Sequence, residues 1–156
     1  MTALDIRLEI TQQIDSIADS EQALLKVLRY VRRLAGMDDA AVTLTGDALR
    51  LWNRVEELAS LSYAWDGVDA MPMEKKAVGN MQKVLKKGLS ADFRSWVLFP
   101  DEAGTLLLQS RDGKASISIG NSSYSYVYEK DGRILSGNKV RFSPSSVLNI
   151  IRQIAV

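Results

Sequence analysis

"TLLLQSRDGKASISIG", residues 105–120, decides the fold. Ile117 and Ile119 alternate with Ser116 and Ser118, a leucine run stands before them, and Asp112-Gly113 divides the two. Alternation with period two is a strand signal, and Asp-Gly marks a tight hairpin because both residues tolerate positive φ. Working outward, "SWVLF" (95–99) precedes this pair behind Gly104, and "SYSYVYEK" (123–130) follows it behind Gly120-Asn121. Asp131-Gly132 then leads toward a further candidate, "KVRF" (139–142). Strands joined by turns this short must be antiparallel, so the expectation is a meander of four to five strands.

Before residue 94 the apolar period is helical. Ile6, Ile10, Ile14 and Ile17 fall on one face of a first amphipathic helix, with Leu4 and Leu8 alongside and Thr2 as N-cap. A second helix follows Asp19 or Ser20 as cap, with Leu24, Val27, Leu28, Val31 and Leu34 as its stripe. Arg32 and Arg33 suit the negative end of its dipole, and Gly36 can make a left-handed stop. The connection is short, which predicts an antiparallel helical hairpin over residues 1–36. Residues 37–46, "MDDAAVTLTG", break the period and read as a linker. A third helix is expected at about 47–62, capped by Asp47 or Thr45, with Leu49, Trp52, Val55, Leu58 or Ala59, and Leu61 or Ser62 inward. A fourth, at about 72–87, begins with Pro72 at its first position, buries Ala77, Val78, Met81, Val84 and Leu85, and ends at Gly88. Ser143-Pro144 caps a last helix carrying Val147, Leu148, Ile151 and Ile154. The fold class is therefore α+β: a helical hairpin, a linker, then an α+β domain over 47–156 with helices on one face of an antiparallel sheet.

Composition excludes more than it suggests. The 156 residues contain no Cys and no His, which removes disulfides, thiol nucleophiles, imidazole bases and the usual zinc ligands. Neither a cofactor nor a metal site is expected, and any catalysis would rest on carboxylates, Lys, Tyr or an all-oxygen metal site. Net charge is +1, so no global field draws in nucleic acid or an anionic membrane. The start, "MTALDIRLEITQQIDS", has no apolar core of the signal-peptide kind, and no window approaches the roughly 18 apolar residues of a membrane span. The expectation is a cytoplasmic protein.

Three groups of residues invite a chemical reading. Asp66, beside Trp65 and near Asp69 and Glu74, could serve as a general acid or base; alternatively Asp66-Gly67 is a turn and Trp65 closes the core. Lys75, Lys76, Lys83, Lys86 and Lys87 along residues 72–87 could meet phosphates, or form a solvated face. Tyr124, Tyr126 and Tyr128 must share one sheet face, as a stacking platform or as half-buried packing. The bland alternative is favoured each time, and Trp65, Asp66, Gly67 and Pro72 are read as a structural corner.

With these residues in hand, "WDGVDAMP" (65–72) resembles the mark of a group of small bacterial proteins carrying a Trp-Asp-Gly-Tyr-Gly-Ala motif followed by Pro. Trp65, Asp66, Gly67, Ala70 and Pro72 match it, while Val68 and Asp69 stand where Tyr and Gly are expected. "FPDEAGTLLLQSRDGKASISIG" (99–120) is similar to the glycine turn and paired strands that follow in that group. Residues 1–36, with their acidic cap before "LLKVLRYVRRL", resemble the N-terminal helical segment of Bacteroidetes proteins assigned to toxin–antitoxin-like pairs. The resemblance implies a binding protein, an antitoxin-type interaction module, and carries no catalytic roles.

A two-helix unit below about 40 residues has too little core to stand alone without a metal, a disulfide or association. Ile6, Ile10, Ile14, Ile17, Leu24, Val27, Leu28, Val31 and Leu34 are therefore the expected partner-binding residues. The partner is the chain's own domain, a second copy in a homo-oligomer, or another protein in a hetero-complex. A carboxylate-dependent enzyme centred on Asp66 and a weak nucleic-acid binder are the alternatives.

Overall fold

A computed structural model of the chain describes residues 2–34 and 44–155, and of 32–34 the backbone alone. The chain divides into two compact units, Met1–Thr43 and Leu44–Val156.

The first unit holds α1 (Ala3–Ser16) and α2 (Glu21–Leu34), joined through Ile17–Ser20. Thr2 and Asp5 cap α1 reciprocally: the Thr2 hydroxyl accepts from the Asp5 amide at 3.2 Å, and the Asp5 carboxylate accepts from the Thr2 amide at 2.8 Å. Ser20 rather than Asp19 caps α2, its hydroxyl accepting from the Ala23 amide at 3.2 Å. The expected stop at Gly36 and the linker up to residue 43 lie outside the described residues, and Gly46 already belongs to the next helix.

The second unit contains α3 (Gly46–Ala59), α4 (Lys75–Lys87), a 3-10 turn η1 (Ser90–Phe93), five strands and α5 (Pro144–Ile154). The strands β1 (Trp96–Pro100), β2 (Leu106–Ser110), β3 (Ala115–Ile119), β4 (Ser123–Lys130) and β5 (Arg133–Arg141) pair in chain order, all antiparallel. This is an α+β fold built on a meander. β5 is longer than "KVRF" suggests and starts directly after Asp131 and Gly132, which both take positive φ (53° and 72°).

One sheet face carries the core. Trp96, Leu98, Leu106, Leu108, Ala115, Ile117, Ile119, Tyr124 and Tyr128 are all buried, and α3 packs against β1, α4 against β2 and β3, and α5 against β4. Each large apolar side chain withdrawn from water in this way is worth about 1.5–3 kcal/mol. The helices supply Leu51, Trp52, Val55, Leu58, Met81, Val84, Leu85, Val147, Leu148 and Ile151. Several helix predictions shift: α3 ends at Ala59, which leaves Leu61 and Ser62 beyond it, and Val78 of α4 is only half-buried. Leu51 takes the fully buried place expected for Leu49, because α3 is flanked by α4, η1 and β1 at once. Helix α4 starts at Lys75, not Pro72, since the backbone before it is bonded elsewhere. Gly88 ends α4 by allowing close approach: a Cβ there would lie 2.6 Å from the Phe93 ring and 2.8 Å from Leu148.

Candidate functional site

In the first unit, none of residues 2–31 is buried. Ile14, Ile17, Leu24 and Val27 are half-covered, whereas Ile6 (45%), Ile10 (52%), Leu28 (43%) and Val31 (49%) remain exposed. The side chain of Leu34 lies outside the described residues. Leu4 (66%) and Leu8 (56%) are more exposed still. At 100° per residue they stand roughly half a turn round the axis from Ile6 and Ile10, so α1 presents two apolar sides. One helix neighbour can cover one of them.

The stretch around Trp65 is a backbone corner. Asp66 Oδ1 accepts from the amides of Val68 (2.9 Å) and Ala70 (3.1 Å), an Asx-type turn. Those two amides, Val68 first, hold the exposed Asp66 carboxyl below its usual range. A carboxylate so held is poorly matched to proton transfer near neutral pH, and the groups that hold it are backbone amides of its own turn, Asp69 among them. Trp65 is not a core residue: it is only half-buried, with its indole N–H donating to the Met71 carbonyl at 2.8 Å. Trp52 and Trp96 fill the core instead. The left-handed conformations fall at Ala64 (φ 59°) and Gly67 (φ 84°), so Asp69 needs no glycine.

Pro72 lies where this corner is stitched to the β1–β2 turn. The Met71 amide donates to the Glu102 carbonyl (2.9 Å) and the Glu74 amide to the Gly104 carbonyl (2.8 Å). Gly104 has φ 87°, and a Cβ on it would stand 2.8 Å from the Pro72 carbonyl oxygen. The two sequence stretches that carry the resemblance thus touch each other through their backbones.

Sequence reasoning missed a pair of arginines. Arg50 Nη2 donates to the carbonyls of Trp96 (2.8 Å) and Phe93 (3.3 Å), and Arg54 Nε donates to Leu98 (3.2 Å). Both project from α3 onto the outer edge of β1, beside an open groove of about 540 Å³ lined by Leu49, Asn53, Glu57 and Val97. The i, i+4 spacing of two Arg on a helix was visible, but their partners lie more than forty positions away. Asn80, buried in α4, was missed for the same reason. Its side-chain amide donates to the carbonyls of Gly120 (2.9 Å) and Asn121 (2.8 Å), and so fastens the β3–β4 turn to the helices.

A second hollow, about 500 Å³, is bordered by Asp92, Arg94, Ser110, Arg111 and Asp112. Ser110 Oγ donates to Asp112 at 2.6 Å and accepts from the Ala115 amide at 3.0 Å. Its hydroxyl is committed to the hairpin, and it lowers the Asp112 carboxyl along with the Lys114 amide. Asp92 is lowered by its bond with Arg152, 3.0 Å away. These groups hold structure and assemble no nucleophile with a base.

The lysines of α4 are exposed, with Lys86 Nζ 5.6 Å from the Trp52 ring centroid. The tyrosine row shares the helix-facing side: neighbouring rings lie 6.1 and 6.0 Å apart, Tyr124 OH accepts from Ser146 (2.7 Å), and Tyr128 OH donates to Gln153 (3.4 Å). It is packing beneath α5, not an open platform. Among the described residues no helix is long and apolar enough to cross a membrane.

No protein-family model matches this chain, and neither a curated protein nor a solved structure matches it.

Proposed function

We propose that this chain is a protein-interaction module that binds through its N-terminal amphipathic helices, as the antitoxin partner of a bacterial toxin–antitoxin-like pair does. A single observation carries the reading: the two N-terminal helices bury nothing among residues 2–31, while six or more large apolar side chains stand in water. Exposed apolar side chains in this number mark an interaction site in a folded protein. Its period of three and four residues suits helix-in-groove docking. The Asx turn at Asp66 and the Ser110 hydroxyl, held by the Asp112 carboxylate and the Ala115 amide, supply the contrast, because both groups are committed to turns. The reading includes a cytoplasmic protein that acts as a homo-oligomer or within a hetero-complex.

The test is co-expression with the product of the adjacent reading frame. The expected result is a neighbour that arrests growth alone, is neutralised by this protein, and co-purifies with it in a defined stoichiometry. Replacing Ile10 and Leu28 with Asp should abolish both effects. A harmless neighbour and a strictly monomeric protein at every concentration would overturn the reading.

A further inference from the structure

The two edges of the sheet are finished differently. On β1, Arg50 and Arg54 occupy the outward carbonyls of Trp96 and Leu98, and Pro100, two residues on, has no amide to offer. That edge is closed to another strand. Among the described residues, β4 is the one strand neighbour of β5, and no side chain of α3, α4 or α5 bonds its outer backbone. Every residue of β5 except Gly137 and Val140 is exposed, including Ile134 (76%) and Leu135 (44%).

β5 is also cationic. It carries Arg133, Lys139 and Arg141, and no Asp or Glu occurs anywhere in residues 132–156. None of these three cations has an ion pair among the described residues. A bulge at Asn138-Lys139, where Lys139 has φ 50° and its amide bonds Ser125 Oγ at 3.1 Å, leaves Arg133–Gly137 as the regular run. Gly137 keeps that run flat against the Tyr126 ring, which a Cβ would strike.

We propose that the free edge of β5 accepts an extended acidic segment of a partner protein as a sixth strand. Backbone hydrogen bonds would supply the attachment, Ile134 and Leu135 the apolar contacts on the two faces, and Arg133, Lys139 and Arg141 the choice of an acidic partner. A second copy fits poorly: pairing β5 with itself sets one cationic edge against another, with no Asp or Glu within residues 132–156 to balance it. This surface belongs to the second unit.

The experiment uses the intact protein and two fluorescein-labelled peptides, one of alternating Glu and Val and one of alternating Lys and Val. Fluorescence anisotropy reads binding, and amide hydrogen exchange locates it. The acidic peptide should bind, weaken as salt rises, and slow exchange within residues 133–137. The double variant R133E/R141E should bind it about tenfold more weakly, as expected for two rim charges. The same variant should take up the lysine peptide instead, a gain that a misfolded protein would not give. Ile10→Asp, altered only in α1, should bind the acidic peptide as wild type does. Equal binding of both peptides, no binding of either, or protection on Lys75–Lys87 in place of β5 would overturn the proposal; the cations would then serve only to keep other strands off the edge.

Discussion

Replacing Gly104 with Ala should be among the costliest small changes in this protein, and the structure supplies its own control. Gly104 and Gly113 both sit in hairpin turns with left-handed φ, 87° and 74°. An Ala at either position incurs the left-handed penalty of about 1–2 kcal/mol. Around Gly113 nothing lies within 4 Å of the new Cβ, so the cost should stop there. At Gly104 the Cβ meets the Pro72 carbonyl oxygen at 2.8 Å, an atom of the backbone that cannot rotate aside. The Glu74–Gly104 hydrogen bond must lengthen or break, which adds about 1–2 kcal/mol for the lost bond and the displaced chain. We therefore expect about 2–4 kcal/mol for Gly104→Ala, against about 1–2 kcal/mol for Gly113→Ala. Urea unfolding followed by tryptophan fluorescence reads both, with the m-value checking that the transition stays two-state. Equal losses in the two variants would refute the claim that the Trp65–Pro72 corner and the β1–β2 turn are locked together.

Asn80→Ala should cost about 2–3 kcal/mol, since two turn carbonyls lose their donor in a buried site; a loss under about 0.5 kcal/mol in the same assay would contradict the role assigned to it. Arg54→Met should leave the Leu98 carbonyl free on the β1 edge, lowering stability by about 1 kcal/mol and raising the tendency to aggregate, read by light scattering during heating. The carboxyls of Asp66, Asp92 and Asp112 are all lowered in the folded state. The stability they contribute is present above the unfolded carboxylate value of about 3.9 and is lost as pH falls through their lower folded values. Melting temperature should therefore drop steeply in acid, and the slope should flatten in Asp92→Asn; an unchanged slope would sink the assignment.

The meander was legible because its turns are local. Asp112-Gly113 and Asp131-Gly132 announce hairpins by residue type, and the alternation in "KASISIG" sets the register. The caps at Thr2, Ser20 and Ser143 were readable for the same reason, since their partners sit three residues on. Sequence reading failed where the deciding contact is distant. Pro72 looked like a helix start until its neighbours proved bonded to Glu102 and Gly104. Trp65 looked like core, but Trp52 and Trp96 already fill the space between α3 and the sheet. β5 was half-seen because Gly137 and Asn138-Lys139 resemble a break, and the Tyr126 ring that requires Gly137 lies on another strand. Of the candidate sites, the corner at Asp66 was legible from Asx chemistry, whereas the arginine seal on β1 was not.

Amide hydrogen exchange of residues 3–31 in the intact protein, followed across a wide range of protein concentration, tests the central claim most directly. If the uncovered apolar sides of α1 and α2 take up a protein surface, exchange there should slow as concentration rises, or on adding the product of the adjacent gene. Ile10→Asp should remove that protection. Fast exchange that neither concentration nor the neighbouring product alters would contradict the account.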